Sequence, residues 1–428
     1  MKINKSFWLA VLVVLVTAAT YYPSLGNRFT AWDDDSLLLS NPQVTSLSPG
    51  HLRGIFVSFH HGLYHPLVNL SWALEYHFFG FAPFIYHLTN LVLHLLNVAL
   101  VFILISSLGG GAWLAAGVAL FFGVHPLHVE SVAWVAERKD VLYTAFFLAG
   151  LIAYLKFRRT GGRWFYLSAL GLCLLALGAK VMAVSFPLIL LLLDYLEERK
   201  PDLSSLPFFG LAAAFGVLAV LARRYSGHLT NDPAWTLNNV FIGCHRLVFH
   251  YFPRVFLPWL DTALYPGTTF AQKVFTGLPL SYYAAPLLAV MLFGGLFWLA
   301  RRERGLVFGL GFFLAALLPA LFSIPVGPFA DRYTYLSSVG LLLAAGLVIK
   351  RSPPVFLALP LALVLAFVPL AWQRCSVWQD NYSLWGAAVE KYPLSPEAAG
   401  NRALSCLETG RQTEALAWQR RAEKLKRR

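Results

Sequence analysis

Long apolar runs broken by short polar connectors dominate this chain, and the runs are too continuous to be membrane strands. Val181–Leu193 and Val355–Pro369 show little alternation, whereas a membrane β-strand alternates apolar and polar positions over about ten residues. The pattern predicts helices near 6–20, 86–107, 112–124, 141–156, 164–179, 181–196, 206–222, 282–300, 306–322, 334–349 and 355–372. At about 20 apolar residues per crossing, this is an all-α polytopic membrane helical bundle of about eleven spans. Asn238–Trp259 is nearly as apolar but carries His245, Arg246, His250, Pro253 and Arg254. Charge at mid-bilayer is costly, so this stretch is read as lying at the outer interface, within an interfacial segment 223–281.

Lys and Arg set the orientation. With the N-terminus in the cytoplasm, inner connectors hold Lys2, Lys5, Lys156, Arg158, Arg159, Arg163, Arg199, Lys200, Arg301, Arg302, Arg304, Lys350 and Arg351, while the first outer loop, 21–85, holds only Arg28 and Arg53. The first apolar run is followed by bulky Thr20-Tyr21-Tyr22-Pro23 rather than a small-residue cleavage site, so it is expected to be retained as a span. From Gln373 onward the chain turns polar. The boundary predicted is a membrane-embedded domain over 1–373 and an extracytoplasmic tail over 374–428, with two short helices around Thr409-Gly410-Arg411 resembling a tetratricopeptide repeat.

Composition supports this reading. Of 428 residues 58% are hydrophobic and 13% charged, which excludes a soluble single domain, where about 25% are charged. The +13 net charge is largely that of inner loops facing anionic lipid, so no nucleic-acid partner is expected. Cys173, Cys244, Cys375 and Cys406 make no metal-ligand or C-x-x-C spacing.

The chemistry is concentrated in outer loops. Trp32-Asp33-Asp34-Asp35 and Glu75 lie in the first, and Glu130, Glu137 and Asp140 lie in the second, 125–140. A positioned carboxylate can take a proton from a hydroxyl, although an acidic triplet alone is equally a solvated turn or a helix cap. His65, in Tyr64-His65-Pro66-Leu67, and His128, in His125-Pro126-Leu127-His128, suit hydrogen bonding at helix ends. The His-x-x-His spacing leaves a divalent cation open, but Pro126 breaks the helix between the two rings, and no metal ligands are assigned. Arg138 and Lys139 beside the fourth span, and Arg332 with Tyr333 at the start of the tenth, can clamp a phosphate. Alternatively they are anchors at helix ends. Lys180, between two apolar runs, requires a polar partner.

Several segments together resemble the bacterial relatives of the transmembrane-and-tetratricopeptide-repeat protein O-mannosyltransferases, multi-span enzymes of the GT-C type. They are Phe29-Thr30-Ala31-Trp32-Asp33-Asp34-Asp35 with Asn41-Pro42, Tyr64-His65-Pro66-Leu67, Tyr86-His87-Leu88-Thr89-Asn90, His125 through Leu142, Asp331 through Gly340, and the terminal repeat. The resemblance implies transfer of mannose from a polyprenyl-phosphate donor to a protein Ser or Thr hydroxyl, in a bacterial inner membrane and on its outer side. It implies Asp33 and Asp34 as the catalytic pair, and Asp35, His65, Glu75, His128, Glu130, Arg138, Lys139, Arg332 and Tyr333 as substrate-binding residues. The partners implied are the lipid-linked sugar, membrane lipid and an acceptor protein or glycan. The tail holds about one and a half repeats where long family members carry many, so a glycan, lipid or envelope-polymer acceptor stays open, as does a non-catalytic scaffold.

Overall fold

The structure, a computed structural model, describes residues 5–227, 233–259, 278–322, 330–353 and 358–427. Over the described residues each of the eleven apolar runs falls on helix, and the start of the last run, 355–357, lies outside the described residues. Among the described residues, eight helical stretches are long and apolar enough to cross a membrane. A bent pair, Gly111–Val124 with Pro126–Ala133, makes a ninth, and Arg163–Ala179 and Val181–Leu196 are shorter apolar helices. The chain is an integral membrane protein with an all-helical fold.

The order of the helices brings one set of ends to the same side of the bundle. Helix α1 (Lys5–Tyr21) arrives there, followed by short helices α2 (Pro49–Val57) and α3 (Pro66–Phe79). Helix α4 (Pro83–Ser107) leaves that side, and α5 (Gly111–Val124) returns to it. After the break at Pro126 come α6 (Val129–Ala133) and α7 (Arg138–Thr160), then α8 (Arg163–Ala179) returns and α9 (Phe186–Leu196) departs. The break has a local cause: a residue before proline is pushed out of the α region, and His125 sits at ψ 126° with its Nδ1 accepting from the Leu127 amide at 3.2 Å. The two axes differ by 52°. Tyr21 donates its hydroxyl to the His125 carbonyl at 2.9 Å, fixing the bend against α1.

The second half continues with α10 (Leu206–Tyr225), α11 (Pro233–Arg246) and α12 (Phe252–Phe256). The segment 238–259 is kinked through a π-turn at Leu247–Tyr251 and turns Arg254 and Val255 inward. Helices α13 (Leu280–Ala300), α14 (Arg304–Phe322), α15 (Thr334–Lys350) and α16 (Ala358–Val377) complete the membrane part. Small residues let α14 and α15 approach closely: a Cβ on Gly340 would collide with the Gly309 carbonyl and meet the Phe313 amide at 2.7 Å. A buried polar lock joins α4, α5, α7 and α15. The His94 ring bonds the Tyr335 hydroxyl at 2.7 Å and the Gly123 carbonyl at 3.0 Å, and Asn97 donates to the Val141 carbonyl at 2.8 Å. These bonds hold the ends carrying the polar loops in register.

The tail is three antiparallel helices, α17 (Asn381–Lys391), α18 (Pro396–Glu408) and α19 (Gln412–Lys426). Asp380 caps α17 by accepting from the Ser383 amide at 2.8 Å, and Ser395 caps α18 by accepting from the Ala398 amide at 3.1 Å. Gly410, at φ +75°, makes the turn between α18 and α19, where only glycine carries no Cβ penalty.

Candidate active site

Adjacent, identical side chains in the first loop have opposite fates. Asp34 is 1% exposed. One carboxylate oxygen accepts from the Thr30 amide at 2.8 Å and the Thr30 hydroxyl at 3.1 Å, and the other accepts from the Ala136 amide at 2.8 Å. It therefore ties the first loop to the second. Burial pushes this carboxyl up to about 7, against the pull of the three donors towards the charged form. Asp33 is half-buried, and its carboxylate has no hydrogen-bond or ion-pair partner among the described residues. A five-residue π-turn, Asp35–Leu39, follows. Asp35 is the most exposed of the three, and partial desolvation, with the nearby Glu408 carboxylate of α18, raises its pKa.

The second loop and the start of α15 supply the charged floor. Glu137 takes ion pairs from Arg332 at 3.0 Å, Lys139 at 3.2 Å and Lys180 at 3.5 Å. Lys180 also bonds Asp140 at 2.5 Å, and Arg332 also pairs with Glu130, whose second oxygen accepts the Arg332 amide at 3.2 Å. The layering is informative. Side chains of Lys139, Lys180 and Arg332 are 11–12% exposed, and those of Glu130, Glu137 and Asp140 are 1–2% exposed. The cations form the accessible layer and the carboxylates lie beneath, so the floor presents positive charge outward while each cation is held in place from behind. Aromatic rings set its edges: Arg332 lies 5.4 Å from the Trp134 ring centroid and 5.3 Å from that of Tyr333, and Lys180 lies 5.6 Å from Tyr333. Behind it, Asp331 joins Arg254 at 2.8 Å and Arg374 at 3.0 Å.

His65 faces the same cluster. It precedes Pro66 at the head of α3, at φ −139° and ψ 61°, and its Nε2 is buried without a hydrogen-bond partner among the described residues. Burial, with the Lys139 ammonium nearby, holds its imidazole down at about 3, so the ring is neutral at working pH.

Four expected binding residues are placed elsewhere: Asp35, exposed and near Glu408 of α18, and Glu75, Arg138 and His128. Arg138 is fully buried: Nε donates to Asn90 at 2.8 Å, one terminal nitrogen to Ser71 at 3.3 Å and to Glu75, and the other to the Tyr86 carbonyl at 2.7 Å. Helical geometry explains this, because a step of about 100° per residue turns Arg138 towards α3 and α4 while Lys139 turns to the floor. Arg138 and its partner Glu75 thus clamp α3 and α4 to α7. His128 is also fully buried, with both nitrogens engaged by the Phe122 carbonyl at 2.8 Å and the Ser338 hydroxyl at 3.1 Å. His65, Glu130, Lys139, Arg332 and Tyr333 do come together, and Asp34 reaches the second loop beside them through the Ala136 amide, with Asp33 its neighbour in the chain. Glu137, Asp140 and Lys180 join them. The signals for these three were the i, i+3 spacing of Glu137 and Asp140 and the isolation of Lys180 between apolar runs. Among the described residues no group of three or more His, Cys, Asp or Glu side chains could hold a metal ion.

No family model matches the chain. It is similar to protein O-mannosyl-transferase TMTC3 of Mus musculus, with 34% identity over 155 residues, covering 34% of this chain and 16% of the relative. Protein O-mannosyl-transferase F38B6.6 of Caenorhabditis elegans is 22% identical over 411 residues, covering 90% of this chain and 58% of the relative. The chain thus spans less than two thirds of the length of these curated relatives. Among solved structures it is similar to ArnT from Cupriavidus metallidurans bound to undecaprenyl phosphate, with a TM-score of 0.45 and 16% identity, covering 99% of this chain and 76% of that one. In sequence, the chain is thus similar, over part of its own length or at low identity, to proteins named protein O-mannosyl-transferases.

Proposed function

We propose that the chain is an inverting membrane glycosyltransferase that moves a sugar, mannose, from a polyprenyl-phosphate donor to a hydroxyl of a protein Ser or Thr. The observation that carries the reading is a three-cation floor backed by buried acids of the second loop, the loop to which the Asp33-Asp34 segment is tied through the Ala136 amide. The Asp34–Ala136 bond joins the first and second loops and supports reading them as two halves of one site.

In the proposed reaction Asp33 accepts the hydroxyl proton while the acceptor oxygen attacks the anomeric carbon. The bond from that carbon to the phosphate oxygen breaks, and the electron pair leaves with the lipid phosphate. Lys139, Lys180 and Arg332 neutralise the charge that develops there, the type of preorganised stabilisation that dominates many transfers. His65, neutral and with Nε2 open, offers one hydrogen bond to the sugar or phosphate. Tyr333 sets the edge of the pocket. One displacement with one base inverts the sugar centre. The isoprenoid tail stays among the apolar spans, where each buried methylene contributes about 0.8 kcal/mol. The N-terminus is placed in the cytoplasm of a bacterial cell and the site and tail on the outer side of its inner membrane.

The test is transfer from a radiolabelled polyprenyl-phosphate mannose to a Ser/Thr-rich peptide by the full chain in nanodiscs. Product in the intact protein, lost in Asp33→Asn and restricted at the donor step in Lys139→Ala, supports the reading. Absence of product from any polyprenyl-phosphate sugar overturns it.

A further inference from the structure

The helical tail does not hang free of the membrane part. It is bound to the stretch of the first loop that ends at the aspartates. The Asn27 amide side chain donates to the Cys375 carbonyl at 3.2 Å, and the Arg28 amide donates to the Gln379 carbonyl at 2.8 Å. The Ala31 amide donates to the Asn381 side-chain oxygen at 2.5 Å. Trp32 then stacks on Trp385 of α17 with centroids 4.6 Å apart and planes 6° from parallel. Asn381 is braced in turn by its bond to Glu408 of α18 at 2.8 Å.

The contacts change owner at one residue. Ala31 and Trp32 are held by the tail, and Asp34 is held by the second loop through the Ala136 amide. Asp33 lies between these two anchors, with a carboxylate that nothing else among the described residues fixes. Its backbone is held in the turn that follows, where its carbonyl accepts from the Leu37 amide at 2.8 Å and the Ser36 hydroxyl at 3.3 Å, and that turn is suspended between tail and membrane body. We propose that the C-terminal helical tail is a working part of the active site, with Trp385 and Asn381 as positioning residues that hold the Asp33 carboxylate in place for proton abstraction. The proposal rests on the reading of Asp33 as the base. A second stacked pair, Trp134 on Trp378 at 4.9 Å, joins the second loop to the end of α16, so α16 and the tail reach both loops.

The experiment uses the full chain in nanodiscs, with polyprenyl-phosphate mannose and a Ser/Thr peptide, and compares Trp385→Ala, Trp385→Phe and the milder Asn381→Ala. A misplacement of about 1 Å costs on the order of a hundredfold in rate. Trp385→Ala is thus expected to lower kcat about tenfold or more with the donor KM within about twofold, and Trp385→Phe to restore most of the rate. Leu416→Ala, on the exposed face of α19, should keep the parental rate. Hydrogen exchange over residues 29–40 provides the activity-independent readout and should quicken in Trp385→Ala and Asn381→Ala. Parental kcat and exchange in both variants would overturn the proposal. Quickened exchange in a protein that transfers no sugar would uphold the tail's hold on the loop while removing the glycosyltransferase reading.

Discussion

Replacing each of the two neighbouring aspartates by asparagine should give opposite phenotypes. Asp34 receives two backbone amides and a hydroxyl in a buried setting. An asparagine oxygen can satisfy either the Thr30 side or the Ala136 side, and its NH2 then faces a donor. One buried N–H is orphaned, at a cost of about 1–3 kcal/mol. A protonated aspartate avoids this, because its hydroxyl oxygen still accepts, so a carboxyl at about 7 does not make the amide a neutral substitute. Asp33 has no such partners, so Asp33→Asn should leave stability within about 0.5 kcal/mol, the usual range for a surface change. It should, however, lower transfer by about a hundredfold or more, the scale of a lost general base. The assay is thermal inactivation in nanodiscs beside turnover with polyprenyl-phosphate mannose. Near-parental turnover in Asp33→Asn would refute the assignment. Full stability with lost turnover in Asp34→Asn would transfer the role of base to the buried residue.

Arg138→Ala should act through folding. Removing one partner of a buried pair costs about 3–5 kcal/mol, so a large loss of thermal stability is expected with an unchanged donor KM in whatever protein folds, and a raised donor KM at parental stability would return Arg138 to the floor. Lys139→Ala, at the accessible layer, should raise the donor KM several-fold with little change in melting, as measured by donor titration. His65→Gln tests pH dependence. The native imidazole sits at about 3 against an unfolded value near 6.5, so its stabilisation is present above about 6.5 and is lost as pH falls, at about 1.4 kcal/mol per unit. The variant should therefore lose less stability than the parent between pH 7 and pH 5 in parallel melts.

The bundle was legible because membrane spans are written locally: a run of apolar residues needs no distant partner to be recognised, and over the described residues all eleven runs fall on helices. The break at Pro126 was legible for the same reason. Differences within a motif were not. Asp33 and Asp34 are identical in type and adjacent, and the Ala136 amide that separates their roles is a hundred and two positions away. Arg138 and Lys139 likewise looked like one cationic patch until the helix phase sent them to different neighbours. The docking of Trp385 on Trp32 joins the two ends of the chain, and no periodicity announces such a contact. What the sequence carried was the inventory of charge in the outer loops, and the structure decided which of those charges are accessible and which lie beneath them.

In the proposed reaction the buried acids under the floor have a consequence for turnover. Three unpaired cations would bind the charged phosphate of donor and product strongly and hold the spent lipid in place, and binding both ground states tightly does not raise kcat. Bracing each cation with a carboxylate lowers that ground-state attraction. It also fixes the ammonium and guanidinium groups so that little reorganisation is needed as charge develops on the leaving phosphate. Glu137 is central because it touches Lys139, Lys180 and Arg332 at once. Glu137→Gln should therefore tighten the apparent affinity for free polyprenyl phosphate as a product inhibitor while lowering kcat, a combination that distinguishes a tuned floor from a simple phosphate trap. Weaker product inhibition in that variant, in a protein of parental melting temperature, would show that the carboxylate acts on something other than the charge of the floor.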